Sequence, residues 1–119
     1  MPTTIVAAIE RQLDFRASPE RLWRALARRD WEAVKAQFHA SAVVERAGTA
    51  TRQDVDEYIA AHRVEAARGD DEIEVLRSVV DGRAQVIEAR VGDRRVAGIY
   101  DLHDGRIAGA TEYWAPSAP

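Results

Sequence analysis

The sequence predicts an α+β domain with helices in its first half and a four-stranded antiparallel meander at its C-terminal end. Two observations predict the meander. Asp81-Gly82, Gly92-Asp93 and Asp104-Gly105 are two-residue hairpin signals. They separate runs rich in β-formers: Glu72 to Val80, Arg83 to Val91, Arg94 to His103 and Arg106 to Trp114. A third observation predicts the helices. Upstream of residue 72, apolar residues recur at helical spacing behind capping residues.

Each helix has its own start signal. Ser18-Pro19 offers an N-cap followed by proline at the first helical position, and Leu22, Trp23 and Leu26 form a stripe behind it. Asp30 can cap a second segment, with Trp31, Val34 and Phe38 inward and His39 at its end, where the helix dipole suits it. Ala42 to Glu45 reads as a short strand. Thr51 or Asp54 can cap a third helix, whose Val55, Tyr58, Ile59 and His62 share a face. Residues 4–16 fit both helix and strand, with helix preferred. The tail from Ala115 to Pro119 is expected to fray.

Composition bounds the function. A chain of 119 residues, 46% apolar and 31% charged, suits one domain over 1–119 with one core. The net charge is −3 and no basic face stands out, which argues against nucleic acid. The absence of cysteine excludes disulfides, thiol catalysis and cysteine metal sites. His39, His62 and His103 lack metal-ligand spacing, so no metal is expected. No apolar run approaches the roughly 20 residues of a membrane helix. The N-terminus does not read as a signal peptide, and a cytoplasmic protein is expected.

Two-residue turns fix a register, and the register assigns faces. Across Gly92-Asp93, Val91 faces Arg94, Arg90 faces Arg95 and Glu88 faces Ala97. Across Asp104-Gly105, Asp101 faces Ala108, Ile99 faces Ala110 and Ala97 faces Glu112. Glu88, Ala97 and Glu112 then lie in one row, the two carboxylates roughly 10 Å apart at strand spacing. Arg90 shares their side, and Ala97, Ala108 and Ala110 leave space over the sheet. Burial raises a carboxyl's pKa and a guanidinium lowers it, a contest that can poise a general acid or base. The same face also reads as a solvated sheet with cross-strand ion pairs. The opposite face is nearly all apolar or small, from Leu76 and Ile87 through Val96 and Tyr100 to Ile107 and Tyr113. It needs a cover of helices or a second subunit.

The segment from Ala97 to Trp114, A-G-I-Y-D-L-H-D-G-R-I-A-G-A-T-E-Y-W, resembles the C-terminal hairpin of the nuclear transport factor 2-like superfamily. The SnoaL-like polyketide cyclases and limonene epoxide hydrolases belong to it. Leu26 to Val34 and Phe38 to Glu45 resemble that family's helix, turn, helix and first strand. The resemblance covers residues 19–115 and implies a curved antiparallel sheet wrapped by helices into a cone. It implies a pocket inside for a small, mainly apolar molecule, and a homodimer through the outer sheet face, with the apolar face in that role. It also implies cofactor-independent acid–base chemistry of epoxide hydrolase, isomerase or cyclase type. Glu112 falls on the last catalytic carboxylate of the epoxide hydrolases, before Tyr113-Trp114, and Arg90 falls on their arginine. Gly92 stands where they carry a second carboxylate, and Val44 and Arg46 stand where they hold water with Tyr and Asn. Arg46 also stands where ketosteroid isomerases carry their catalytic Asp. The expected catalytic set is Glu112 as acid or base, Arg90 setting its charge, and Glu88 as replacement carboxylate. The expected ligand contacts are Trp114, Ala97, Ile99, Ala110, Tyr58 and Trp31. The alternatives are a non-catalytic binding domain and a dimerisation module of the same fold. Ile9 to Leu26 separately resembles the opening of the START-like helix-grip domains, a likeness the rest of the chain does not continue.

Overall fold

The computed structural model describes residues 19–69 and 72–116. Residues 4–16, Ser18 and the last three residues of the tail lie outside them. The order is α1 (Pro19–Arg28), α2 (Trp31–Ala36), β1 (Phe38–Arg46), β2 (Arg52–Asp54), α3 (Val55–Arg68), β3 (Ile73–Asp81), β4 (Ala84–Val91), β5 (Arg94–His103) and β6 (Arg106–Pro116). The sheet runs β2-β1-β6-β5-β4-β3. The meander is antiparallel as expected, while β1 pairs with β6 in parallel, so the whole sheet is mixed.

Local signals explain the helices. Leu22, Trp23, Ala25 and Leu26 bury one face of α1. It closes on Arg29 in the left-handed region (φ 59°), with the Arg29 N–H on the Leu26 carbonyl and the Asp30 N–H on the Ala25 carbonyl. Asp30 then caps α2 by accepting from the Ala33 N–H. The helix stops after one and a half turns, so Phe38 and His39 open β1 instead of continuing it. His39 Nε2–H donates to the His103 carbonyl at 2.6 Å, a cross-strand role in place of the expected helix-end one. Asp54 and Glu57 form a reciprocal capping box at 2.8 and 3.1 Å, which sets the start of α3.

The three turns hold, with left-handed Gly82, Gly92, Asp104 and Gly105. The register from Gly92-Asp93 also holds: Val91 pairs with Arg94, Arg90 with Arg95 and Glu88 with Ala97. The register after Asp104-Gly105 does not. His103 pairs with Arg106 and Leu102 with Ile107, but Asp101 then pairs with Gly109. Ala108 is one residue extra on β6, a bulge that exchanges the faces of everything beyond it. Gly98, not Ala97, therefore faces Glu112, and Ala97 faces Tyr113.

That shift corrects the assignment of faces. The helices cover the apolar face, where Ile87, Ala89, Val91, Val96, Tyr100 and Ile107 join Leu22, Trp23, Leu26 and Tyr58 in one core. Beyond the bulge, Ala110 and Glu112 turn onto this same buried face. The apolar face is thus the inside of the fold, not a dimer surface. The expected pocket face is the outer one.

Candidate functional site

The site begins with one buried carboxyl. Glu112 is 3% exposed and is the one charged residue among the buried described residues. Tyr58 Oη–H and Tyr100 Oη–H donate to its Oε2 at 2.9 and 2.7 Å, and Trp114 Nε1–H donates to its Oε1 at 3.1 Å. Trp23 Nε1–H donates to Tyr100 Oη at 2.8 Å, which holds that hydroxyl from behind.

Each donor is placed by its element. The capped first turn of α3 carries Tyr58 over the sheet. Trp114 follows Glu112 by two residues along β6 and so shares its face. Tyr100 lies over Gly98: a Cβ there would sit 2.3 Å from Cε2 and 2.5 Å from Oη of its ring. Since Gly98 is also the cross-strand partner of Glu112, the missing side chain lets Tyr100 reach the carboxyl.

The electrostatics follow from burial. Loss of water pushes Glu112 above the ordinary carboxyl range, against the hydrogen bonds from Tyr100, Trp114 and Tyr58 and the charge of Arg46. Burial, then the adjacent Glu112 charge, pushes both tyrosine hydroxyls well above the phenol range. They remain protonated donors. Beside them His62 packs against Tyr58, ring centroids 4.6 Å apart, and within 6.0 Å of Trp23. Burial first, then Arg46 and Arg94, lowers its pKa from 6.5 to about 4, so the ring is neutral near pH 7.

Glu112, Tyr58, His62 and Trp114 open onto a cleft of about 130 Å³. Its walls combine Leu26, Ala27, Trp31, Val44 and Ile73 with the polar Thr51 and Gln53, and its rim carries Arg29, Arg46, Arg94 and Glu65. The guanidiniums of Arg46 and Arg94 each stack on Trp114, 4.6 and 4.9 Å from its ring centroid. An apolar concavity with a few convergent polar groups is the usual form of a small-molecule site. The arrangement can hold a protonated or ionised carboxyl away from water and present it to an apolar guest.

Of the residues the sequence singled out, Glu112, Trp114, Tyr58 and Trp31 meet at this cleft. Ala110 is buried in the core beneath it. Glu88, Arg90, Ala97 and Ile99 do not meet it. Even-numbered Glu88 and Arg90 on β4 alternate with the inward Ile87, Ala89 and Val91, so they point outward. Glu88 pairs with Arg95 and Arg77 at 3.5 and 3.7 Å, and Arg90 with Glu74. These are the cross-strand ion pairs of a solvated face. Ala97 and Ile99 are exposed beside them. Sequence reasoning missed Tyr100, Trp23 and Arg94 as members of the site, while His62 packs on the helical face it shares with Tyr58. Gly98 two residues before an inward Tyr was the available signal for the first. Among the described residues no group of His, Asp or Glu could hold a metal ion, and no helix is long and apolar enough to cross a membrane.

No protein-family profile and no curated sequence matches the chain. Solved structures do. A nuclear transport factor 2-like protein from Burkholderia xenovorans superposes with a TM-score of 0.72 at 20% identity, over 92% of this chain and 90% of that one. The fold is that of the nuclear transport factor 2-like superfamily. A candidate ketosteroid isomerase from Kribbella flavida gives 0.70 at 22% identity, over 89% and 81%. An epoxide hydrolase of the limonene type from M. tuberculosis gives 0.63 at 26%, over 81% and 78%. Candidate polyketide cyclases also share this nuclear transport factor 2-like architecture.

Proposed function

We propose that the chain is a cofactor-independent acid–base enzyme acting on a small, mainly apolar molecule, with Glu112 as the proton-transferring group. The observation that carries this reading is the carboxyl itself: buried, raised in pKa, and set at the floor of an apolar cleft by three donors from separate positions in the fold. A carboxyl raised toward neutrality is a better base when ionised and is more readily available as an acid. Among the described residues the only other carboxylate on the cleft is Glu65, tied at the rim to Arg94 at 3.3 Å. Two-carboxylate hydrolysis has no second group at the floor. One carboxyl suffices for proton shuttling: it takes a proton from carbon beside a carbonyl, the C–H electron pair moves into an enolate, and the proton returns at another carbon or after ring closure. Isomerase or cyclase chemistry is therefore favoured over epoxide hydrolysis. Similar structures that include a candidate isomerase and candidate cyclases support the class.

The test is deuterium uptake by NMR from a panel of small cyclic and aryl ketones in D2O. Wild type should catalyse exchange, and Glu112→Gln should lose about 10²-fold or more of that rate while still binding the same ketones. Equal exchange by the two proteins would remove Glu112 from the chemistry. One observation favours a second reading, a binding domain without turnover. All three donors already satisfy the carboxyl, as they would in a structural role. In that case neither protein exchanges the panel and both bind it. We also propose a homodimer through the outer sheet face, where Val79, Val86 and Ile99 form an exposed apolar row across three strands beside Tyr113.

A further inference from the structure

The rim of the cleft carries charge that the acid–base reading does not use. Arg29, Arg46 and Arg94 face it, against Glu65. Glu65 neutralises Arg94 at 3.3 Å, and the Arg29 guanidinium donates to the Gly69 carbonyl at 3.1 Å. Arg46 makes no ion pair with any described residue; its guanidinium carbon lies over the Trp114 ring, 4.6 Å from the centroid. Stacking fixes the plane of a guanidinium while leaving its N–H edge free to donate. Arg46 is also the cross-strand partner of Glu112 on β1, so its position relative to the buried carboxyl is fixed by the sheet. Cations thus gather at the mouth of one apolar cleft in a chain whose net charge is −3. None of this is required by the core, since Arg46 is exposed.

We propose that the natural guest of the cleft is an amphiphilic anion, an apolar body bearing a carboxylate that docks on the free edge of Arg46 at the rim. The body then lies along Leu26, Val44 and Ile73 and brings its reacting carbon toward Glu112. This rests on the proposal that the cleft is the substrate site, and it narrows the substrate from a neutral apolar molecule to a monoanion. A planar two-point acceptor matches the guanidinium fork, which a carbonyl or hydroxyl head does not. The Arg94–Glu65 pair beside it limits the site to a single negative charge.

The experiment compares naphthalene-2-carboxylate with its neutral isostere naphthalene-2-carboxamide by isothermal titration calorimetry at pH 7. The proteins are wild type, Arg46→Gln, Glu65→Gln and Glu112→Gln. The carboxylate should bind wild type about tenfold more tightly than the carboxamide, and the preference should shrink with salt because the contact is at an exposed rim. Arg46→Gln should abolish the preference, so that the carboxylate binds no more tightly than the carboxamide. Glu65→Gln releases Arg94 and should tighten the carboxylate severalfold. Equal binding of the two probes to wild type overturns the proposal. So does a preference that survives in Arg46→Gln, or a carboxylate that binds Glu65→Gln more weakly. Failure of the acid–base reading is separate: it shows as unchanged exchange by Glu112→Gln, whatever the probes do.

Discussion

Replacing Gly98 with alanine is expected to unseat Tyr100 and, through it, Glu112. The new Cβ would lie 2.3 Å from Tyr100 Cε2, 2.5 Å from Oη and 2.6 Å from Cζ. Ordinary carbon contacts are about 3.5 Å or more, so the ring has to withdraw by about 1 Å. It has little room. Tyr100 is fully buried and its hydroxyl is held between Trp23 at 2.8 Å and Glu112 at 2.7 Å. Overpacking of this kind costs about 1–3 kcal/mol, and loosening a buried hydrogen bond to a carboxyl adds to it, about 1–3 kcal/mol. The two overlap, so the expected loss is about 3 kcal/mol, or roughly 10 °C in Tm for a chain of this size. Urea denaturation of a double-mutant cycle with Tyr100→Ala measures the cause directly. In the Tyr100→Ala background the same alanine meets no ring and should cost less than about 0.5 kcal/mol, leaving a coupling of more than about 2 kcal/mol. The Tyr100 hydrogen bond also holds the Glu112 pKa down, so Gly98→Ala should move the carboxyl titration further upward, read by NMR of the Glu112 side chain. An alanine that costs the same in both backgrounds would refute the reasoning.

Two pH effects of opposite sign and one assembly effect follow from the same geometry. His62 holds a folded pKa of about 4 against 6.5 in the open chain; its contribution is complete above pH 6.5 and is lost as pH falls toward 4. Allowing for screening at a partly exposed ring, the loss is about 2 kcal/mol, and His62→Phe should flatten that limb of a stability–pH curve. Glu112 is raised, so its contribution is present at acid pH and is lost as pH rises through its folded pKa; denaturation midpoints of Glu112→Gln should fall less than wild type over that rise. On the outer face, Ile99→Lys should convert the proposed homodimer to monomer in sedimentation velocity, at little cost to the monomer because the side chain is already 40% exposed. A wild-type chain that sediments as a monomer at micromolar concentration would dispose of that interface.

Caps and turns were legible because they are local. Asp30, Asp54 and the Gly-containing turns act through their own backbone neighbours, and their residue types announce it. The apolar parity of β4 and β5 was legible for the same reason, since one tight turn joins them without interruption. The register of β6 was not. Ala108 and Gly109 carry almost no side chain, so neither face of the sheet objects to an extra residue there, and the parallel strand β1 shifts its own register alongside. What gave the bulge away in the structure was Ile107, which has to stay inward with Leu102, while Glu112 also turns inward. Simple alternation from residue 107 to 112 cannot satisfy both. Tyr113 outward and Trp114 inward follow from the same step.

That single step decides between two chemistries for the same residue. With unbroken alternation Glu112 would stand on the outer face near Glu88, Arg90 and Arg95, solvated and paired, with nothing to raise its pKa. With the bulge it stands under α3, where water is replaced by three oriented donors and no contacting cation. Burying an ionisable carboxyl costs stability unless its oxygens are satisfied. Here Tyr58, Tyr100 and Trp114 come from a helix and two strands to satisfy them, and Gly98 surrenders its side chain so that one of them can. The core would be simpler with an apolar residue at 112 and none of these accommodations. Departures from simple packing at four coordinated positions, all around one carboxyl at the floor of one cleft, are what the proposed proton-transferring role of Glu112 predicts and what packing for stability alone does not require.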